Sequence, residues 1–136
     1  AENVAKGAYT LVDAANGNPE LILIATGSEV QLAVAARLQL EAQGIATRVV
    51  SAPCLEWFDE QSESYRESVL PKNVKARVSV EAGLALGWTK YVGPFGRSVS
   101  IEHFGASADA KTLFREFGMT AENVVTAAHN SIAAAK

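Results

Sequence analysis

The stretch Leu21–Pro53, LILIATGSEVQLAVAARLQLEAQGIATRVVSAP, restricts the fold more than any other part of this chain. Leu21-Ile22-Leu23-Ile24 is apolar at every position, the pattern of a strand covered on both faces. Each such side chain contributes about 1.5–3 kcal/mol when fully buried, so the segment selects a central place in a sheet. Val30, Ala33, Val34 and Leu38 then recur at helical spacing, with Leu32, Ala36 and Leu40 widening the stripe. Arg37, Gln39, Glu41 and Gln43 are left to face water. Ser28, with Gln31 three residues on, matches a capping box at the helix start, and Gly44 suits the left-handed position that ends a helix. Ile45–Val50 supplies the next strand. Strand, tight turn, amphipathic helix and strand, in that order, build a parallel α/β sheet.

The remaining segments extend that unit. Ala8–Val12 reads as a short edge strand, and Asn16-Gly17-Asn18-Pro19 as a turn that folds it back in a hairpin, antiparallel to the Leu21 strand. Leu55–Leu70 reads as one helical region stopped by Pro71. Arg77–Val80 and Val99–Ile101 read as further core strands, and Ala108–Phe117 as a helix ended by Gly118. Thr120 caps a last helix whose buried stripe includes Val124, Val125, Ala128 and Ile132. Gly83–Gly96, with Trp88, Tyr91 and Phe95, reads as a short helix and loops packed by aromatics. The expected fold class is α/β: an open, mostly parallel sheet of about five strands with one antiparallel edge strand and helices on both faces.

At 136 residues the chain has the length of one domain, 1–136. A net charge of -3 argues against a nucleic-acid or anionic-membrane partner, because both recruit a basic face. The single Cys54 allows no internal disulfide and fits a reducing compartment, so a cytoplasmic location is expected. No apolar run approaches the roughly 18 residues that span a bilayer. The opening AENVAKGAY has neither Met nor a signal peptide, and is expected to mark a segment excised from a larger chain.

Few residues offer chemistry. Gly27-Ser28-Glu29 opens a helix, where exposed N–H groups favour an anion. Gly27 and Ser28 are therefore a candidate phosphate or nucleotide site, against the alternative that Ser28 simply caps the helix. Only one glycine is present, so the dinucleotide fingerprint is absent, and Glu29 repels an incoming anion. Cys54 lies just past a strand end but has no local Cys–His motif to activate it. His103 follows Glu102 on a strand, where adjacent side chains point apart, and His129 stands beside an apolar stripe. Neither has metal-ligand spacing. Glu56, Asp59, Glu60, Glu63 and Glu67 read as a solvated helix face, and Lys72, Lys75 and Arg77 are too few for a nucleic-acid surface. Trp88, Tyr91 and Phe95 are the candidate interface residues, with a role in the core as the alternative. No catalytic, cofactor or metal residue is assigned.

Several long words occur in a telling order: LILIATGSEVQLAVAA, VVSAP, FDEQSESYRESVLP, ARVSVEAG, FGASA and LFREFGMTAENVV. In these the chain resembles the C-terminal domain of bacterial transketolases, from Gly7 to the last helix. The resemblance implies a parent enzyme that uses thiamine diphosphate with magnesium or calcium. Such an enzyme transfers a two-carbon ketol unit between sugar phosphates in the pentose phosphate pathway. It also implies partners: the preceding domains of the same chain and the second subunit of a homodimer. The family's cofactor, metal and catalytic residues lie outside the matched words, so none maps onto this chain. There are departures. Where the family commonly reads FG-x-SAP, this chain has Ala108 then Asp109, and the Gly93–Arg97 loop is unusual. Losing the Pro removes a preset φ at the helix start, and Asp109 restores some dipole stabilisation.

Overall fold

A computed structural model describes residues 6–81, 89–100 and 120–135. Five strands form one sheet: β1 (Tyr9–Val12), β2 (Leu21–Ala25), β3 (Thr47–Ser51), β4 (Arg77–Glu81) and β5 (Arg97–Ser100). The helices are α1 (Val30–Ala42), α2 (Leu55–Asp59), α3 (Glu63–Val69), α4 (Thr89–Val92) and α5 (Ala121–Ala135). The strand order is β1-β3-β2-β4-β5, parallel throughout except for β1, which runs antiparallel to β3. The sequence pattern gave this architecture correctly: a mostly parallel sheet with one antiparallel pair.

The two-sided burial of β2 divides the core. Leu21, Leu23 and Ala25 face α1 and α5, together with Val49, Val78 and Val80. Ile22 and Ile24 face the other way, onto Phe58 of α2, Val69 of α3 and Val74. Side chains on a strand alternate, so one apolar tetrapeptide serves both layers. At the last helix Thr120 Oγ1 accepts the Asn123 N–H at 3.2 Å, and Val124, Val125 and Ala128 are buried.

Four expectations need correction. The first strand makes no hairpin with β2. Both edges of β2 are taken by β3 and β4, so β1 pairs with the outer edge of β3. The connection reaches β2 past the start of β3, where Glu20 and Leu21 both donate to the Ala46 carbonyl. The helix after β2 begins later than the capping box suggests. Gly27–Glu29 forms a 3-10 turn, the N-cap is Glu29, and it makes no side-chain cap bond. Leu55–Leu70 is two helices rather than one. The chain breaks at Glu60–Gln61, and Ser62 caps α3 by accepting from Tyr65 N–H at 3.1 Å. On α1, Leu38 is 64% exposed, and the fully buried line is Ala33, Ala36 and Leu40. The helix Ala108–Phe117, Ala108 and Asp109 of the departure, and Ile101 lie outside the described residues.

Arg37, expected to face water, instead joins Arg48 in fastening the β1–β2 connection. Arg37 Nε donates to the Thr47 carbonyl at 3.0 Å and its Nη2 to the Asp13 carbonyl at 2.7 Å. Arg48, on β3 and buried, donates to both Asp13 carboxylate oxygens and to the carbonyls of Ser68 and Val69 at 3.0 Å. The hydrogen bond from Arg48 is the main reason the Asp13 carboxyl titrates below its ordinary 3.8; burial opposes it, and the Ala14 N–H and the Arg48 and Arg37 charges add to it.

A folded-state pKa below the unfolded one makes a contribution that is complete above the unfolded value and lost as pH falls through the folded value. Asp13 therefore stabilises the fold fully above about pH 3.8 and loses that contribution as pH falls further, through its lowered folded value. Its side chain is 43% exposed, so solvent screening holds the effect to about 1 kcal/mol or less. Asp13→Asn is expected to flatten the acid limb of stability against pH by that amount. Urea unfolding between pH 2 and pH 6 measures it, and an unchanged limb would count against the assignment.

Candidate functional site

Ligand sites in parallel sheets usually sit at the carboxyl ends of the strands. Here the described part of that edge consists of the Gly27–Glu29 turn after β2 and Ala52–Cys54 after β3. Gly27 has a φ of +54°, which favours glycine. Its backbone lies beside Glu29, whose carboxylate Oε2 is 3.6 Å from where a Gly27 side chain would begin. Glu29 itself is 7% exposed. A buried carboxylate at the mouth of the turn opposes an incoming phosphate, so the turn is better suited to ending β2 than to holding an anion.

Cys54 is partly buried, extended in backbone, and precedes α2 as its N-cap without a side-chain bond. Its amide donates to the Gly7 carbonyl at 2.9 Å. His129 stands at the opposite end of the sheet. Its Nε2 lies 2.8 Å from Gln43 Oε1, joining α5 to the end of α1. The structure thus does not bring Cys54 and His129 together, and His103 lies outside the described residues. Among the described residues, no group of three or more His, Cys, Asp and Glu could hold a metal ion.

A cleft of about 290 Å³ opens between α2, α3 and α4, lined by Phe58, Asp59, Arg66, Glu67, Arg77 and Tyr91 among others. Arg77 dominates it. Its Nε donates to the Val74 carbonyl at 3.0 Å, Nη1 to Tyr91 at 2.7 Å, and Nη2 to Pro71 at 2.8 Å and Leu70 at 3.2 Å. Burial pushes the guanidinium below its ordinary value, with the Glu67 charge opposing. Four carbonyls occupy the fork, so Arg77 pins the turn before β4 rather than greeting a substrate. The Tyr91 hydroxyl donates to Asp59 Oδ2 at 2.8 Å.

The candidate interface aromatics thus separate. Tyr91 is bonded inward at both its hydroxyl and its carbonyl. Phe95 is partly buried, its carbonyl accepts from Ser131 Oγ at 2.6 Å, and Lys75 Nζ lies 6.0 Å from its ring centre. Trp88 lies outside the described residues. Sequence reasoning passed over Trp57, which is 49% exposed. The available signal was the Trp57-Phe58 pair: adjacent helical residues lie about 100° apart, so only one could point at the core.

Comparison with known proteins agrees with the fold. The family described as "Transketolase-like TK C-terminal domain" matches residues 7–120. A transketolase of Mycobacterium tuberculosis (strain ATCC 25618 / H37Rv) is 57% identical over 136 residues, taking in 97% of this chain and 19% of its own length. Transketolase 1 of Escherichia coli (strain K12) is 59% identical over 126 residues, covering 93% of this chain and 19% of its own. The solved transketolase from Leishmania mexicana superposes with a TM-score of 0.85 at 44% identity, covering 96% of this chain and 18% of that one. The chain therefore spans about a fifth of the length of the curated relatives it matches.

Proposed function

This chain belongs to the family of transketolase-like C-terminal domains, and from that premise we propose that it is the non-catalytic assembly domain of a longer transferase. The parent would move a two-carbon ketol unit between sugar phosphates in the cytoplasm, with thiamine diphosphate and a magnesium or calcium ion held by its preceding domains. Residues 1–136 would be its single C-terminal domain, packed on those domains and on the second subunit of a homodimer. Among the described residues the chain offers no cluster suited to the cation, so no chemical step is assigned to it.

The observation that carries the reading is how the strongest polar groups are used. Arg77, Arg48, Arg37, Tyr65 and Tyr91 each bond within the fold, mostly to carbonyls. They stabilise a shape and are not poised toward a substrate. The alternative, an anion or nucleotide module at Gly27 and Ser28, has the buried Glu29 against it.

The isolated chain is expected to give no heat of binding with thiamine diphosphate and magnesium, and no turnover in a coupled sugar-phosphate assay. Calorimetry and the assay check this directly. Turnover by residues 1–136 alone would overturn the reading.

A further inference from the structure

Trp57 leaves half of an indole in water on the five-residue helix α2, while Phe58 beside it is buried. The fold uses Phe58 and leaves Trp57 to spare. A second observation gives the indole a context. The segment by which the chain enters the domain is fastened next to it. The Gly7 carbonyl accepts the Cys54 N–H at 2.9 Å. Gly7 has a φ of +87°, and its backbone lies so close to α2 that any side chain there would strike the Cys54 carbonyl and the Phe58 amide. The Tyr65 hydroxyl donates to the Ala8 carbonyl at 2.8 Å, and Lys6 Nζ sits 4.6 Å from the centre of the Tyr65 ring. End segments are loose unless something ties them down, and this one is tied to both α2 and α3.

We infer that Trp57 and the exposed rim of α2 form the docking surface for the domain that precedes this one in the longer chain. The inference rests on the proposed reading, in which a larger enzyme leads into Ala1. The clamp at Gly7 fixes the point at which the chain enters the domain, against the backbone of α2. Docking is then intramolecular, at an effective concentration in the millimolar range, so a small surface with one tryptophan anchor suffices. Glu56 and Glu60, both exposed, flank Trp57, while Glu63 on α3 is paired with Lys72 at 3.7 Å. The complementary surface is therefore an apolar depression edged by Lys or Arg.

The test uses the full-length chain with Trp57 replaced by the photoreactive benzoylphenylalanine. Irradiation is expected to link position 57 to residues upstream of Ala1 in the same polypeptide, while the same probe at Leu38 yields no such link. Mixed-isotope samples separate links within a chain from links between copies. No upstream link, or links confined to a second copy, would overturn the inference. Trp57→Ala in the full-length chain provides an independent readout. Protease cleavage at the junction before Lys6 is expected to quicken about tenfold or more, with Trp57→Phe largely restoring protection. An unchanged rate would overturn the inference too. Ketol transfer by the unmodified enzyme is assayed separately. Its absence would end the proposed function, whereas a missing link in an active enzyme would end only the docking surface.

Discussion

Leu23→Ala is expected to lower the unfolding free energy by about 2–5 kcal/mol, while Leu38→Ala moves it by no more than about 0.5 kcal/mol. The two leucines are alike in sequence, and both fall in apolar stretches. Leu23 is 0% exposed, on the central strand, with Val49 of β3 and Val78 of β4 as its ladder neighbours. Truncation there leaves a void that α1 and α5 cannot both move to fill, because each also packs on the neighbouring strands. Leu38 is 64% exposed and leaves no void. Urea titrations of both variants supply the comparison. Equal losses would mean that α1 lies on the sheet with a different face inward.

The second large effect is expected at Arg77. Arg77→Met should cost about 3 kcal/mol, near the top of the usual range for a single change. The methionine fills much of the volume but donates nothing. The carbonyls of Leu70, Pro71, Val74 and Tyr91 then lose the charged donor they share. A hydrogen bond to a charged group contributes about 1.5–3 kcal/mol, and a buried acceptor left without a partner costs about 1–3 kcal/mol. These losses are not additive, since the freed turn can relax toward water. Arg77→Lys should recover only part of the loss, because a single ammonium cannot match a planar fork that reaches three segments at once. Denaturant midpoints for the two variants test this, and full recovery by lysine would show that charge alone mattered. The contacts also predict where order is lost first in Arg77→Met: amides of Leu70–Val74 and Tyr91 should exchange faster, with those of β2 unchanged.

Much of the architecture was legible from residue pattern alone. An apolar run at Leu21–Ile24 can be satisfied only by cover on both faces, and that requirement already implies helices above and below. Thr120 as cap and Val124, Val125 and Ala128 as a buried stripe follow from local geometry, which depends only on near neighbours in the chain. The family membership was legible too, in the order of several long words.

Tertiary structure decided what pattern leaves degenerate. Which edge β1 occupies depends on which edges are already filled, and β2 had none to offer. Of the apolar residues on α1, the sheet and α5 could cover only one line, so Leu38 was left outside. The arginines gave the least warning. Arg48 lies on a strand among valines and Arg77 begins one, and sequence cannot say that the end of α3 and the turn after it will aim carbonyls at them. Those carbonyls belong to every residue type alike, so no side chain announces them. What the sequence determined by itself was therefore the strand–helix alternation, the two-sided burial of β2 and the inner face of the last helix. What only the folded chain decided was which polar groups are spent internally and, among the described residues, that Leu11, Leu38 and Trp57 stay exposed. Burial is a property of the assembled layers and not of any stretch of letters.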